Sequence, residues 1–408
     1  LQVINETGLK LTIVPTELEH RSPAALILLK GTFRLVPDGA CSPLPPDQQR
    51  DPSGDTLHMD DLGRTPSWVT DFAPFKPHTD CFVLGTAYAP PGRPTPKFQA
   101  GFSLGPLVKT VNILGPRSIT PDGTLTGPAP ITSLPLRWEL SAGGMNDPRN
   151  PYGRGQDPDP AGIIHLPQIE HPSKPILVAT DRPHPTNLAP VPAWLSERSD
   201  KLGTRDRHWA LFRAPLPPLD YHPTVHNAAP YDQQAGNYPR GHEPMTLVNL
   251  HPAIPLLETT LPGLRPRVAV VHTDGAAEDV AMKLDTVILL PDEDQLVILW
   301  RACVPAADQA LSDVALVLAR MEDLADTPAD LRTEAAARHA GNRRPDRAAE
   351  LAQLEAQAIV EARTRLKDVP LPPPLRAMVE TEASPERLFD ALADHVQAEL
   401  TRLGHWKP

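Results

Sequence analysis

Cysteine is scarce: three residues in 408, Cys41, Cys81 and Cys303, stand far apart with no C-x-x-C pair, so neither a zinc site nor a disulfide framework is signalled. Long apolar runs are missing as well. The best candidate, "ALILLKGTF" from Ala25, meets Lys30 after five residues, and no insertion into a membrane is expected. No basic start, apolar stretch and cleavage site opens the chain, so the expected compartment is the cytoplasm. Positive charge is in deficit. With 39 Lys and Arg against 50 Asp and Glu, the formal net charge is −11, which argues against nucleic acid as a partner. H-E-x-x-H and G-x-x-x-x-G-K-[ST] do not occur, and the expectation is a chain without metal, cofactor or enzymatic activity.

Proline, by contrast, is abundant: 52 residues, against 5% aromatics. Proline fixes φ and removes a backbone donor, so this density disfavours long helices and central strands and favours short strands joined by pre-ordered loops. A hydrophobic content of 40% is too high for a disordered chain. The outcome is a folded, loop-rich protein.

Apolar residues alternate or run together in residues 1–14 and 25–35, and strands follow in "DCFVLGTAYAP", "KFQAGFSLG" and "LVKTVNILG". Residues 121–260 read mostly as loop, with short strands in "LPLRWEL" and "MTLVNLH". A strand buried on both faces is expected around Val268 and Val270, and a hairpin from Val287 through "PDED" to Trp300. After Pro305 the strong helix formers take over: "DQALSDVALVLARMEDL", "RPDRAAELAQLEAQAIVEARTRLKDV" and "SPERLFDALADHVQAEL" predict helices, the last capped by Ser384 and Pro385. The fold class is therefore mainly β, with antiparallel, sandwich-like sheets and long proline-rich loops, followed by a C-terminal α-helical region. Residues 1–305 form the β-rich part, with 1–120 and 121–305 as two candidate sub-modules, and 306–408 the helical part.

Three stretches invite a functional reading. His222 and His226 have metal-ligand spacing, but Pro223 lies between them among turn residues, so a shared face is not implied. "NPYGRGQDPDP", residues 150–160, contains G-x-G without the third glycine or a following helix; it reads as a structured turn with Arg154 as its anchor to carbonyls or carboxylates. Residues 203–234 mix Trp209, Phe212, Tyr221 and Tyr231 with Arg205, Arg207 and Arg213. Large aromatics are usually buried, so one expectation places Trp209 and Phe212 in the core with Arg213 paired to Asp220 or Asp232. The other takes Arg154, Arg205, Arg207, Trp209, Arg213, Tyr221, Tyr231 and Asp232 as partner-binding residues, because aromatics and arginines dominate hot spots.

The order of "LILLKGTFRL", "DFAPFKPHTDCFVLGTAYAPPGRP", "LPLRWELSAGGM" with "NPYGRG", and "FRAPLPPLDYHPTVHNAAPYDQQ" followed by "LVNLHP" resembles a bacterial family described as a domain of unknown function. Its genes lie in type VI secretion clusters, between spike-protein and toxic-effector genes. The resemblance covers about 25–305 and implies a noncatalytic adaptor or chaperone that binds a secreted toxic effector and helps load it onto the spike. The family's signature positions correspond to Lys30, Thr32, Phe33, Lys76, Pro77, Asp80, Asn150, Gly153, Arg154, Gly155, Trp209, Arg213, Ala229, Pro230, Asp232 and Gln233; no catalytic residue is implied. Arg205 departs from the pattern, and the tail lies outside it. Two other readings stay open: a hydrolase built from His222 or His226 with Asp220 or Asp232, and a structural component of the secretion apparatus.

Overall fold

The computed structural model describes residues 1–18, 22–63, 65–91, 93–214, 217–342 and 371–381, with isolated positions 357, 360, 363, 364, 366, 387 and 391. Its principal strands in chain order are β1 (Gln2–Glu6), β2 (Lys10–Glu17), β3 (Pro23–Arg34), β4 (Thr79–Val83), β5 (Lys97–Leu104), β6 (Leu107–Leu114), β7 (Ile169–Glu170), β8 (Gln234–Ala235), β9 (Pro244–Val248), β10 (Leu256–Thr260), β11 (Leu264–His272), β12 (Ala277–Val280), β13 (Lys283–Leu290), β14 (Gln295–Pro305) and β15 (Val314–Asp323). The helices discussed below are α1 (Ser196–Ser199), α2 (Arg207–Phe212), α3 (Leu331–Asn342) and α4 (Pro373–Thr381).

Three sheets carry these strands. The largest runs β8-β4-β13-β14-β3-β2, with the short strand Ser42–Pro43 beside β3; a second runs β7-β6-β5-β9-β10, and a third β1-β15-β11-β12. Both larger sheets draw strands from before and after residue 120. Pairing is antiparallel as expected, except that β1 runs parallel to β15 and β4 parallel to β13. The hairpin read from "PDED" is present: β13 and β14 pair from Leu290–Gln295 back to Lys283–Arg301, and Asp294 takes the left-handed conformation (φ 55°) that closes the turn.

The core follows from period-two alternation. Ile27, Leu29 and Phe33 of β3, Val287 and Leu289 of β13, and Leu296, Ile298 and Trp300 of β14 point inward. There they meet Phe98 and Phe102 of β5, Leu247 of β9 and Val317 of β15. Each such aliphatic or aromatic side chain removed from water contributes about 1.5–3 kcal/mol. The intervening residues Leu28, Phe82, Ile288, Val297 and Leu299 face the other way, into a smaller cluster with Trp68 from the short strand Pro66–Trp68 and Val69, Ala228 and Ala229 from loops. That outer face is covered by loops and by the short strand Pro66–Trp68.

One expectation is overturned. The segment "DQALSDVALVLARMEDL" is not a helix: its apolar half is β15, hydrogen-bonded on both sides between β1 and β11. Leu316 and Leu318 pack with Leu331 and Ala335 of α3, while Val317 and Ala319 enter the main core. A continuous apolar run buried on both faces fits a covered central strand, and the pairing outweighs helix propensities of a few tenths of a kcal/mol per residue.

The chain divides into two compact units, Leu1–Ala337 and Arg338–Pro408. In the second, α4 starts at Pro373, where a missing N–H costs nothing, and its carbonyl at Val379 accepts from Arg363 Nε at 2.7 Å. The helices expected over 344–369 and 384–400 lie outside the described residues apart from isolated positions. Among the described residues, no helix is long and apolar enough to cross a membrane.

Candidate functional site

A proline-rich loop cannot satisfy its carbonyls with its own N–H groups, so the outer face of the large sheet supplies donors from side chains. Lys30 of β3, in mid-strand, donates from Nζ to Asp71 Oδ2 at 2.8 Å and to the Asp51 carbonyl at 3.0 Å. Its ammonium also sits 4.2 Å from the centre of the Trp68 ring. Burial pulls the Lys30 pKa below its ordinary value even though Asp71 opposes that shift. Arg301 of β14 holds Asp285 at 2.6 Å and the carbonyls of Asp71 (2.7 Å) and Ala73. Lys76 donates to Asp80 and to Thr286 Oγ1, each at 2.8 Å. Asp80 in turn accepts from Asn227 Nδ2 at 2.9 Å and the Ala228 N–H at 2.8 Å. Of the signature positions, Lys30, Thr32, Lys76 and Asp80 clip loops to the sheet in this way, and Phe33, Asn150, Ala229 and Gln233 are buried as well.

Held on these clips, residues 187–233 wall a cleft of about 560 Å³ beside β2, the edge strand of the large sheet. Val14, Leu26, Phe72 and Pro218 make it apolar; Tyr221 and His226 line it, and Arg198 and Arg205 bring charge. Arg198 is buried and spends its guanidinium on the carbonyls of Val191 and Val225, which fixes the wall. Next to the cleft, α2 is a short helix capped by Asp206, whose Oδ1 accepts from the Trp209 N–H at 2.8 Å. Arg213 ends it, reaching Glu17 of β2 at 2.8 Å and the Pro217 carbonyl at 2.6 Å.

This corrects the expectation that Trp209 and Phe212 fill the core. Trp209 is only partly buried, with the Arg205 guanidinium 5.1 Å from its ring centre, while Phe212 is 44% and Leu211 58% exposed. A six-residue helix on a loop has no second turn to bury them. Arg213 is paired with Glu17 and not with Asp220 or Asp232; those bind Thr204 and Lys109.

The eight candidate residues fall into three places. Arg205, Arg207, Trp209, Arg213 and Tyr221 belong to α2 and the cleft. Tyr231 and Asp232 line a separate notch with Lys109 of β6. Arg154 lies in the 150–160 turn, which is tied around buried Asn150, a donor to the carbonyls of Trp138 (2.8 Å) and Ala142 (3.0 Å). A Cβ at Gly153 would come within 2.6 Å of Asn150 Nδ2 and 2.7 Å of the Ala142 carbonyl, which requires glycine there. The segment is a structured turn as read, and Arg154 reaches a carbonyl only weakly: its Nη1 donates to the side-chain Oε1 of Gln168 at 3.5 Å.

His222 and His226 do not share a site. His222 caps a short 3-10 turn, with Nδ1 2.8 Å from Thr224 Oγ1, whereas His226 packs edge-on between the rings of Phe75 (5.4 Å) and Tyr221 (5.3 Å). Burial, then repulsion from Arg301, Lys76 and Arg198, pushes the His226 pKa from its ordinary 6.5 down to about 3. The unfolded chain binds this proton more readily than the native one, so the stabilisation is complete above pH 6.5 and is lost as pH falls from there towards 3. His226→Phe keeps the aromatic packing; in urea unfolding at pH 7 and pH 5 the variant is expected to lose about 1–2 kcal/mol less than the parent over that interval. Equal losses would show that another group carries the acid sensitivity.

The sequence also holds one G-x-S-x-G, at residues 101–105, that motif reasoning passed over. Ser103 sits in β5, paired with Val108 and Thr246, and the chain turns from strand to strand at Gly105, so the strand-to-helix elbow of that motif is not formed. Among the described residues no group of three or more His, Cys, Asp or Glu could hold a metal. All three thiols are pushed above their ordinary pKa by burial, Cys303 to about 11.

A family model described as an uncharacterized protein conserved in bacteria (DUF2169) matches residues 20–301, more than half of the chain. No curated protein and no solved structure matches it.

Proposed function

This chain belongs to the DUF2169 family, and we propose that it works as a noncatalytic adaptor, binding a secreted toxic effector in the cytoplasm and aiding its loading onto the type VI secretion spike. The observation that carries this reading is the exposed knuckle of α2: Leu211 and Phe212 stand out of the surface next to Arg205, Arg207 and Trp209, on a loop whose backbone is clipped beneath. Apolar and guanidinium groups together on a pre-ordered segment suit protein docking, because the ordering entropy is spent in folding and not in association. The net charge of −11 disfavours nucleic acid and anionic membrane as alternatives.

Co-expression with the product of the adjacent gene, followed by size exclusion and light scattering, tests the reading. A complex of defined ratio is expected. A lone monomer that leaves its neighbour unbound would overturn it.

A further inference from the structure

Away from α2, a notch of about 340 Å³ opens between β6 and the loops, lined by Lys109, Trp138, His184, Thr186, Glu197, Tyr231 and Asp232. Its polar chemistry is lopsided. Lys109 is buried and bonded to Asp232, so that pair carries no net charge and Glu197 leaves one negative charge in excess. Asp232 uses Oδ2 for that bond and is 54% exposed, which leaves Oδ1 as an acceptor. Glu197 uses Oε1 for the Tyr231 N–H at 2.9 Å, and Oε2 remains. His184 Nδ1 lies 2.9 Å from the Pro185 carbonyl; a carbonyl only accepts, so Nδ1 carries the proton and Nε2 is a lone-pair acceptor in the neutral ring. Thr186, 7% exposed, has a buried hydroxyl with no hydrogen-bond partner among the described residues. Over this stands Tyr231, 81% exposed, an aromatic ring held out from the surface by a short 3-10 turn.

Glu197 brings a carboxylate beyond the Lys109–Asp232 pair, Asp232 Oδ1 and the imidazole nitrogen add acceptors, and the Thr186 hydroxyl can accept as well as donate, so a guest that fits brings several donors and a positive charge. Guanidinium meets that description: five N–H donors in a planar fork, no acceptor, and a face that stacks on an aromatic ring. We infer that this notch receives an arginine side chain of the protein partner, seated against Tyr231 and bonded to Glu197 and Asp232. The inference deepens the adaptor reading and rests on it for the source of the guest.

The test uses Nα-acetyl-arginine amide as probe and protein labelled with 15N at tryptophan. Trp138 reports because it lines the notch and its indole Nε1 is fixed by the Pro190 carbonyl at 2.7 Å. A saturable shift of the Trp138 indole resonance is expected, weakened about tenfold by Glu197→Gln and by Tyr231→Ala, and absent with the neutral isostere Nα-acetyl-citrulline amide. No saturable shift, an equal response to citrulline, or unchanged binding by both variants would overturn the inference. Failure here with an intact complex in co-expression would remove the notch and leave the adaptor; arginine binding without a complex would do the reverse.

Discussion

Replacing Asp80 with alanine is expected to destabilise the protein by about 3–5 kcal/mol, the range for removing one partner of a buried ion pair. The carboxylate is fully buried and serves three donors at once: Lys76 Nζ at 2.8 Å, Asn227 Nδ2 at 2.9 Å and the Ala228 N–H at 2.8 Å. Without it, the Lys76 ammonium keeps only Thr286 Oγ1 on the sheet and two loop donors lose an acceptor. Urea unfolding gives the size of the loss, and Lys76→Met in the Asp80→Ala background should recover part of it by removing the stranded charge. Because Asp80 bonds the loop directly, hydrogen exchange over residues 187–233 should accelerate more than in β13 and β14. A loss below about 1 kcal/mol would mean that water or a loop rearrangement replaces the carboxylate, and the clip account of the signature residues would fall.

These clips explain where sequence reasoning stopped. The hairpin of β13 and β14 was legible because both strands alternate between two buried faces and the turn carries acidic residues suited to it. β15 was not, because Ala, Leu, Arg and Glu suit an isolated helix and the two neighbours that make it a strand lie far off in sequence, in β1 and β11. In the sequence Lys30 stands out as the residue that breaks an apolar run and as a signature position of the family. In "LILLKGTF" it carried a further signal: a cation in the middle of a strand that is apolar on both faces must find a buried partner, and Asp71 is that partner. Neither Asp71 nor the Glu17 that holds Arg213 could be paired by spacing, since those contacts span 41 and 196 residues. The candidate residues were recognised by type, which says nothing of grouping; the fold divides them among α2, the notch and the 150–160 turn.

Trp209→Ala should leave stability within about 1 kcal/mol while weakening the partner by about 2 kcal/mol or more, close to thirtyfold. A fully buried tryptophan would cost about 3–5 kcal/mol on truncation. Trp209 is only partly buried, and α2 is also held by groups that the truncation keeps: the residue 209 backbone N–H to Asp206, and Arg213 to Glu17 and Pro217. The ring lies against the Arg205 guanidinium, so its loss frees a rotamer-rich arginine on the surface that docking would otherwise find in place. Thermal melting of the variant together with titration of the co-purified partner separates the two costs. If melting falls steeply while affinity holds, the ring belongs to the fold and the knuckle is not the docking surface. If both hold, the partner binds elsewhere, and the Tyr231 notch becomes the place to look.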